Sequence, residues 1–330
     1  MDKVKLGRTG LDVPVLSLGG LFVSSIGAEL EQAREAVTHA VASGLDYIDT
    51  APGYGNSEDV LGKILPDVSE PYIISTKLGK KENFNPQSLD DLKACFEGSL
   101  KRLGRDSVDI LFIHEPERPG QYDWWSDQLN VEGPVLDYCQ SLKEQGVIKA
   151  IGLGGTTAYE MARMLDTGKF DVVLTAFQFN LFHREAVDSV FVAAKKHDVG
   201  VVLGSPLHQG TFSAAYDCIN DDSTFWLNPI RKQQFKDLYA VSKDSGISVP
   251  EMAMRFTMFN ENVHTTLTGS KSAEEVDLNI QSWKNGPLSE DIMTRIDEIA
   301  ERVPYRPSEE GICLGWRLRA PEGYKGPGHA

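Results

Sequence analysis

The sequence predicts a closed parallel barrel of the (β/α)8 type, and three observations carry that reading. Short apolar runs recur along the chain, with helical patterns between successive runs. Eight such runs can be counted, more than an open doubly wound sheet usually needs. That open sheet, the runner-up, would also want a phosphate-binding glycine turn early in the chain, and none stands there. At 330 residues there is room for two domains or one large barrel, and the unbroken alternation favours a single domain.

Residues 4–14 come first and read as a hairpin with Gly10 near its turn, placed to plug the barrel floor. Val15-Leu16-Ser17-Leu18-Gly19-Gly20 is the first barrel strand. Leu30, Ala33, Val37 and Val41 then recur at three- and four-residue spacing, one face of a helix. Tyr47 to Ala51 is the second strand and Tyr72 to Lys77 the third. The next helix is the clearest in the chain, with Leu89, Leu92, Phe96, Leu100 and Leu103 on one face and Ser88 with Asp91 as a capping-box-like start. Val108 to Ile113, Ala150 to Leu153, Val172 to Thr175, Val201 to Leu203 and Thr265 to Thr268 complete the eight, and the barrel closes by residue 300. Residues 303–330 carry Pro304, Pro307, Pro321 and Pro327, which exclude a long helix. Ile312, Leu314, Trp316 and Leu318 alternate there, which predicts an extended segment lying on the body, either a lid or dimer contact or a docked tail without a role.

Composition narrows the function classes. With 41% hydrophobic and 25% charged residues the chain is globular, and a net charge of −15 argues against nucleic acid and anionic membranes as partners. No run approaches the ~18 apolar residues of a membrane span, and Met1 to Leu6 has no apolar signal core. Cys95, Cys139, Cys218 and Cys313 stand far apart, without CxxC or zinc spacing. A reduced, cytoplasmic protein without disulfides or metal is the expectation.

In such a barrel the chemistry gathers at the carboxyl ends of the strands. The polar residues there are Asp49, Tyr54, Lys77, His114, Gln178, Ser205 and Ser270-Lys271. The first four come from consecutive strands and so share one mouth. Lys77 follows an apolar run, and a buried lysine needs an anionic partner, which Asp49 on the adjacent strand supplies. Each has a bland alternative: a structural Lys–Asp pair, a loop aromatic, a core histidine. The four together are harder to dismiss.

Asp49-Thr50-Ala51-Pro52-Gly53-Tyr54-Gly55-Asn56-Ser57-Glu58, Ser75-Thr76-Lys77 and Leu111-Phe112-Ile113-His114 resemble signature segments of the aldo-keto reductase superfamily, nearest its bacterial sugar-dehydrogenase-like branch. Leu6 to Pro14 and Gly269-Ser270-Lys271-Ser272 fit as well. The resemblance implies hydride transfer between NADPH or NADP, with NADH or NAD still open, and a small carbonyl compound or sugar, without metal. Tyr54 would be the general acid, Lys77 the cation that eases its proton loss, Asp49 the group that orients Lys77, and His114 the donor that directs the substrate oxygen. Gly20, Leu21 and Asp49 would face the cofactor, with Gln178 on the nicotinamide amide. Ser205, Leu207, Gln209 and Gly210 would line the pyrophosphate path. Gly269, Ser270 and Lys271 would hold phosphate at a helix start, and Glu275 and Asn279 would reach adenine.

Three departures stand out. The fifth strand ends in Gly154-Gly155, where relatives carry Ser-Asn on the nicotinamide amide. Lys271 offers a point charge where relatives carry an arginine fork. Glu275 with Ser272 fits a capping box at least as well as an adenine contact. For the substrate, the long loop after His114 offers Arg118 for an anion, Glu117 and Asp123 for hydroxyls, and Trp124-Trp125 either as an aromatic wall or as packing for the loop. Leu21, Phe22 and Tyr54 would form the opposite wall. The same residues leave a second class open, a regulatory protein that keeps fold and cofactor but turns over poorly. Oligomeric state is not legible.

Overall fold

The computed structural model describes residues 1–79, 84–118, 122–220, 227 and 229–304. Strands β1 (Lys3–Lys5) and β2 (Asp12–Pro14) pair antiparallel, with Val4 opposite Val13. The barrel strands follow: β3 (Leu16–Gly19), β4 (Tyr47–Asp49), β5 (Ile73–Leu78), β6 (Ile110–His114), β7 (Ala150–Gly155), β8 (Val172–Ala176), β9 (Gly200–Gly204) and β10 (Thr265–Thr268). All pair parallel, and β10 closes the ring by pairing with both β9 and β3. Between and after them lie α1 (Leu30–Ala42), α2 (Ser57–Ile64), α3 (Leu89–Leu103), α4 (Pro134–Glu144), α5 (Ala158–Leu165), α6 (Val190–His197), α7 (Pro229–Ser245), α8 (Val249–Met258), α9 (Ala273–Lys284) and α10 (Glu290–Ala300). The predicted (β/α)8 barrel is therefore present. Two helices fill the space between β9 and β10, and α10 packs back on α7, where Gln234 Nε2 donates to the Ile299 carbonyl at 2.6 Å.

The two-residue period of the strands separates two cores. Residues on the outer faces, such as Leu111, Ile113, Ile151 and Leu153, join the helices in the larger one. Those on the inner faces, including Tyr47, Ile110, Phe112, Val172, Val202 and Leu267, fill the barrel. Leu6, Leu11 and Val13 of the hairpin belong to this inner core, so the hairpin does plug the floor. Arg8 fixes it there, donating to the carbonyls of Gly168 and Phe170 at 2.9 and 2.7 Å and to Asp171 at 3.2 Å. Cys95 and Cys139 are buried on α3 and α4. Among the described residues no helix is long and apolar enough to cross a membrane. Of the tail 303–330, residues from 305 onward, with Cys313 and the Ile312, Leu314, Trp316 and Leu318 alternation, lie outside the described residues. The Pro304 carbonyl accepts from the Arg184 amide at 2.8 Å.

Candidate active site

The inner-face alternation that places Ile110 and Phe112 in the core brings His114, two residues on, to the mouth of the barrel. The same step on β4 carries Tyr47 to Asp49, and on β5 Ile73 to Ser75 and Lys77. Asp49 lies opposite Ser75 in register and Lys77 opposite Phe112. Asp49, Lys77 and His114 therefore converge, as the sequence predicts. Lys77 is 1% exposed, and its Nζ reaches Asp49 Oδ1 at 2.7 Å, Asp49 Oδ2 at 2.6 Å and the Thr50 carbonyl at 2.8 Å. Tyr54 stands over this pair on the loop before α2, with Lys77 Nζ 4.7 Å from its ring centre. His114 meets the Tyr54 ring edge-on, centroids 6.0 Å apart at 81°.

These contacts set the protonation states. Burial pushes the Lys77 ammonium down, but the Asp49 carboxylate and Tyr54 outweigh it, and its pKa ends above the ordinary lysine value. Burial raises the Tyr54 phenol, the Lys77 charge pulls it back, and Asp49 pushes it up again; the net direction is upward. At neutral pH the site thus holds a protonated tyrosine beside a cationic lysine, a proton donor with an electrostatic reason to let go.

Several residues of the same segments, given no role from sequence, support the site. Ser75 Oγ donates to Asp49 Oδ1 at 2.7 Å and is bonded in turn to Tyr47 Oη at 3.0 Å, so the carboxylate is held from below. Ser75 was legible, because it lies two residues before Lys77 and shares its face. Thr50 Oγ1 donates to Ser57 Oγ at 2.8 Å and Ser57 Oγ to the Gly20 carbonyl at 2.7 Å, which braces the Tyr54 loop against β3. Glu58 is structural: it ties Thr76 of β5 and Arg102 of α3 to α2.

The residues assigned to a cofactor divide. Gly20 is buried and donates to the Asp49 carbonyl at 2.7 Å, Leu21 is half-buried, and Phe22 is 40% exposed with its ring lying over Gly269. Ser205, Leu207 and Gly210 are half-buried and Gln209 exposed, on a loop where Ser205, His208 and Gln209 all have φ between 46 and 56°. Such left-handed backbone in non-glycine residues is costly and clusters at functional sites. Lys271 is exposed at the start of α9, and Ser270 is buried and bonded to Thr268 and Asn279. Glu275 behaves as a cap: Ser272 Oγ accepts from its amide at 3.2 Å, and its carboxylate accepts from the Lys271 amide at 2.9 Å. Asn279 spends its amide on Thr268, Ser270 and the Glu275 carbonyl. Gln178 is fully buried, its oxygen held by Thr175 at 2.6 Å and its nitrogen 3.8 Å from the Met161 sulfur.

In the substrate loop burial decides between the two readings of the tryptophan pair. Trp124 and Trp125 are 1% and 4% exposed, so they pack the loop onto the barrel rim and form no open wall. Trp124 sits in an aromatic cluster with Phe84 and Tyr122 and covers Gly79. Arg118 is buried and paired with Glu115 at 3.2 Å. Glu117 turns under the loop to the end of β7, while Asp123 is exposed. A loop tryptophan has no period to reveal which way it faces, so only the tertiary structure separates the two readings. Among the described residues no group of three or more His, Cys, Asp or Glu side chains is placed to hold a metal ion.

The sequence model of the Aldo/keto reductase family matches residues 16–301. The chain is similar to an L-galactose dehydrogenase of Arabidopsis thaliana, 27% identical over 331 residues covering 94% of this chain and 99% of that protein. It is also similar to a D-threo-aldose 1-dehydrogenase of a Pseudomonas species, 23% identical over 82% of this chain and 90% of the relative. A third relative, from Oryza sativa subsp. japonica, is described as a probable voltage-gated potassium channel subunit beta, 24% identical over 93% of this chain and 98% of its own length.

Proposed function

The chain belongs to the aldo/keto reductase family, and from that premise we propose that it is a cytoplasmic NAD(P)-dependent oxidoreductase interconverting a carbonyl and an alcohol on a sugar or related small aldehyde or ketone. The observation that carries the proposal is the buried Lys77–Asp49 pair beneath Tyr54, with His114 edge-on to the phenol. The names of two sugar dehydrogenases among its relatives support the substrate class. The nicotinamide, when bound, supplies or accepts the hydride. In reduction Tyr54 gives its hydroxyl proton to the carbonyl oxygen as that oxygen gains charge, and in oxidation the phenolate takes the proton back from the alcohol. Lys77 stabilises the phenolate in both directions, and Asp49 holds Lys77 under the ring. His114 donates to the substrate oxygen and fixes its direction.

The residues present fit a dinucleotide in part. Lys271 is an exposed cation at the amino end of α9, a setting suited to phosphate, and the left-handed Ser205–Gln209 loop lies at the carboxyl end of β9. Titration with NADPH and NADH, followed by nicotinamide fluorescence beside turnover on an aldose and aldehyde panel, tests the reading. Lys271→Ala is expected to weaken NADPH about tenfold, the loss of one charge-assisted phosphate contact, and to leave NADH unchanged. Equal effects on both nucleotides would remove the 2′-phosphate role from Lys271. Tight cofactor binding without turnover on any carbonyl or alcohol would favour a regulatory protein instead.

A further inference from the structure

The loop leaving β6 holds a buried charged cluster that the chemistry above does not use. Glu115, Glu117 and Arg118 follow His114 directly, and Glu117 and Arg118 are 2% and 7% exposed. Glu117 lies on the end of β7, where a Cβ on Gly155 would stand 2.5 Å from its carboxyl carbon. Glycine at 155 is therefore a fitted partner for that carboxyl. Glu117 Oε1 accepts from the amides of Thr156 and Thr157 at 2.5 and 3.1 Å, at the entry to α5, and its Oε2 is buried with no hydrogen-bond partner among the described residues. Around it the loop is tied down again: the Glu115 amide donates to the Gly154 carbonyl at 2.6 Å, and Trp125 Nε1 to the Pro116 carbonyl at 3.3 Å. Glu115, the residue after His114, is held at φ 56°, a left-handed conformation that persists only when its surroundings enforce it.

We propose that Glu117 is a positioning residue of the reaction: clamped over Gly155, it holds the strained turn after His114 and so fixes where the imidazole stands relative to Tyr54. The inference rests on the oxidoreductase reading of the site. It also explains the second glycine of the pair that ends β7: a side chain at 155 would evict the carboxyl from its place.

Burial holds the clamp toward its neutral form. Burial pushes Glu117 up to about 8 from an ordinary 4.5, the Thr156 amide and Arg118 lower it, and the Glu115 charge raises it. The groups facing it on its own loop are Glu115 and Arg118. From the turn between β7 and α5 come the backbone amides of Thr156 and Thr157. Above about 8 a second carboxylate charge joins Glu115 in one buried cluster. Because the folded pKa is raised, the stability Glu117 contributes is full below about 4.5 and is lost as pH rises through about 8.

Three variants and two readouts test this. Glu117→Ala and Gly155→Ala are each expected to lower kcat about tenfold to a hundredfold, with cofactor affinity unchanged within about twofold, the signature of a misplaced imidazole. In the wild type kcat should fall as Glu117 ionises near pH 8 and loosens the turn; Glu117→Gln keeps the shape and the two amide contacts, so it should retain neutral-pH kcat and lose both that fall and the fall of the melting midpoint between pH 4.5 and 8. In the ligand-free protein the His114 imidazole resonances should shift in Glu117→Ala and stay in place in Glu117→Gln. Wild-type kcat with unshifted His114 signals in Glu117→Ala would overturn the proposal, as would an unchanged pH response in Glu117→Gln, which decides the matter if the alanine variants do not fold. A wild-type protein without turnover would fail the oxidoreductase reading instead, and the His114 resonances would still report on the clamp.

Discussion

Tyr54→Phe is expected to lower turnover by about 10²- to 10⁴-fold, the range that one positioned proton donor commands, while cofactor affinity and thermal stability stay near wild type. The substitution removes a single oxygen from a half-buried ring whose edge-on contact with His114 and position above Lys77 depend on the ring itself. What disappears is the only group the proposed mechanism gives for moving the substrate proton. The pH dependence follows from the upward direction of the Tyr54 pKa. The phenol stays protonated through the neutral range, so reduction should be flat there and decline only on the alkaline side, whereas oxidation, which needs the phenolate, should climb with pH. Phenylalanine should abolish the climb together with the rate. Steady-state assays in both directions across pH decide it, and turnover surviving at the wild-type level would mean that another group moves the proton.

What the sequence reveals of this site follows from periodicity. Strand residues alternate faces, so an ionisable residue two positions after a core residue can be assigned to the barrel mouth without knowing anything else; His114 after Phe112 and Asp49 after Tyr47 are cases. The Ser272–Glu275 spacing likewise announces a helix cap, which the hydrogen bonds display. Loop residues offer no such period. Trp124, Trp125 and Arg118 have the residue types of a binding surface, yet their burial depends on Phe84, Gly79 and Glu115, remote or unpatterned in sequence. The partners of Gln178 are hidden for a related reason: it follows β8, and its contacts with Thr175 and the Met161 sulfur are made inside the protein. The fit of Glu117 over Gly155 joins residues from two different strand ends, and only the adjacency of β6 and β7 brings them together.

The largest effect on stability is expected from Asp49→Ala. Lys77 and Asp49 are 1% exposed, and the bonds of the ammonium to both carboxylate oxygens outweigh the burial that would otherwise neutralise it. Removing one partner of such a pair costs about 3–5 kcal/mol, because a buried charge is left without compensation. The Thr50 carbonyl remains as a dipole, too weak a substitute for a carboxylate, so burial then dominates and Lys77 surrenders its proton. Turnover is expected to fall as well, since an uncharged amine cannot stabilise the Tyr54 phenolate. The pH response separates this from ordinary loosening of the core. In the wild type the raised Lys77 pKa gives stability that is full below the ordinary lysine value of about 10.4 and lost only when pH passes the folded value. In Asp49→Ala the folded pKa is depressed, the unfolded chain binds the extra proton, and stability should rise with pH toward about 10.4. The double variant Asp49→Ala, Lys77→Met removes both charges, with methionine close to lysine in volume, and should recover much of the lost stability, as apolar replacements of buried pairs do, yet none of the turnover. Recovery of turnover in the double variant would show that the pair serves the fold alone. Denaturant unfolding of the three proteins at neutral and alkaline pH, beside their rates, separates a pair kept for packing from one kept to hold a charge under Tyr54.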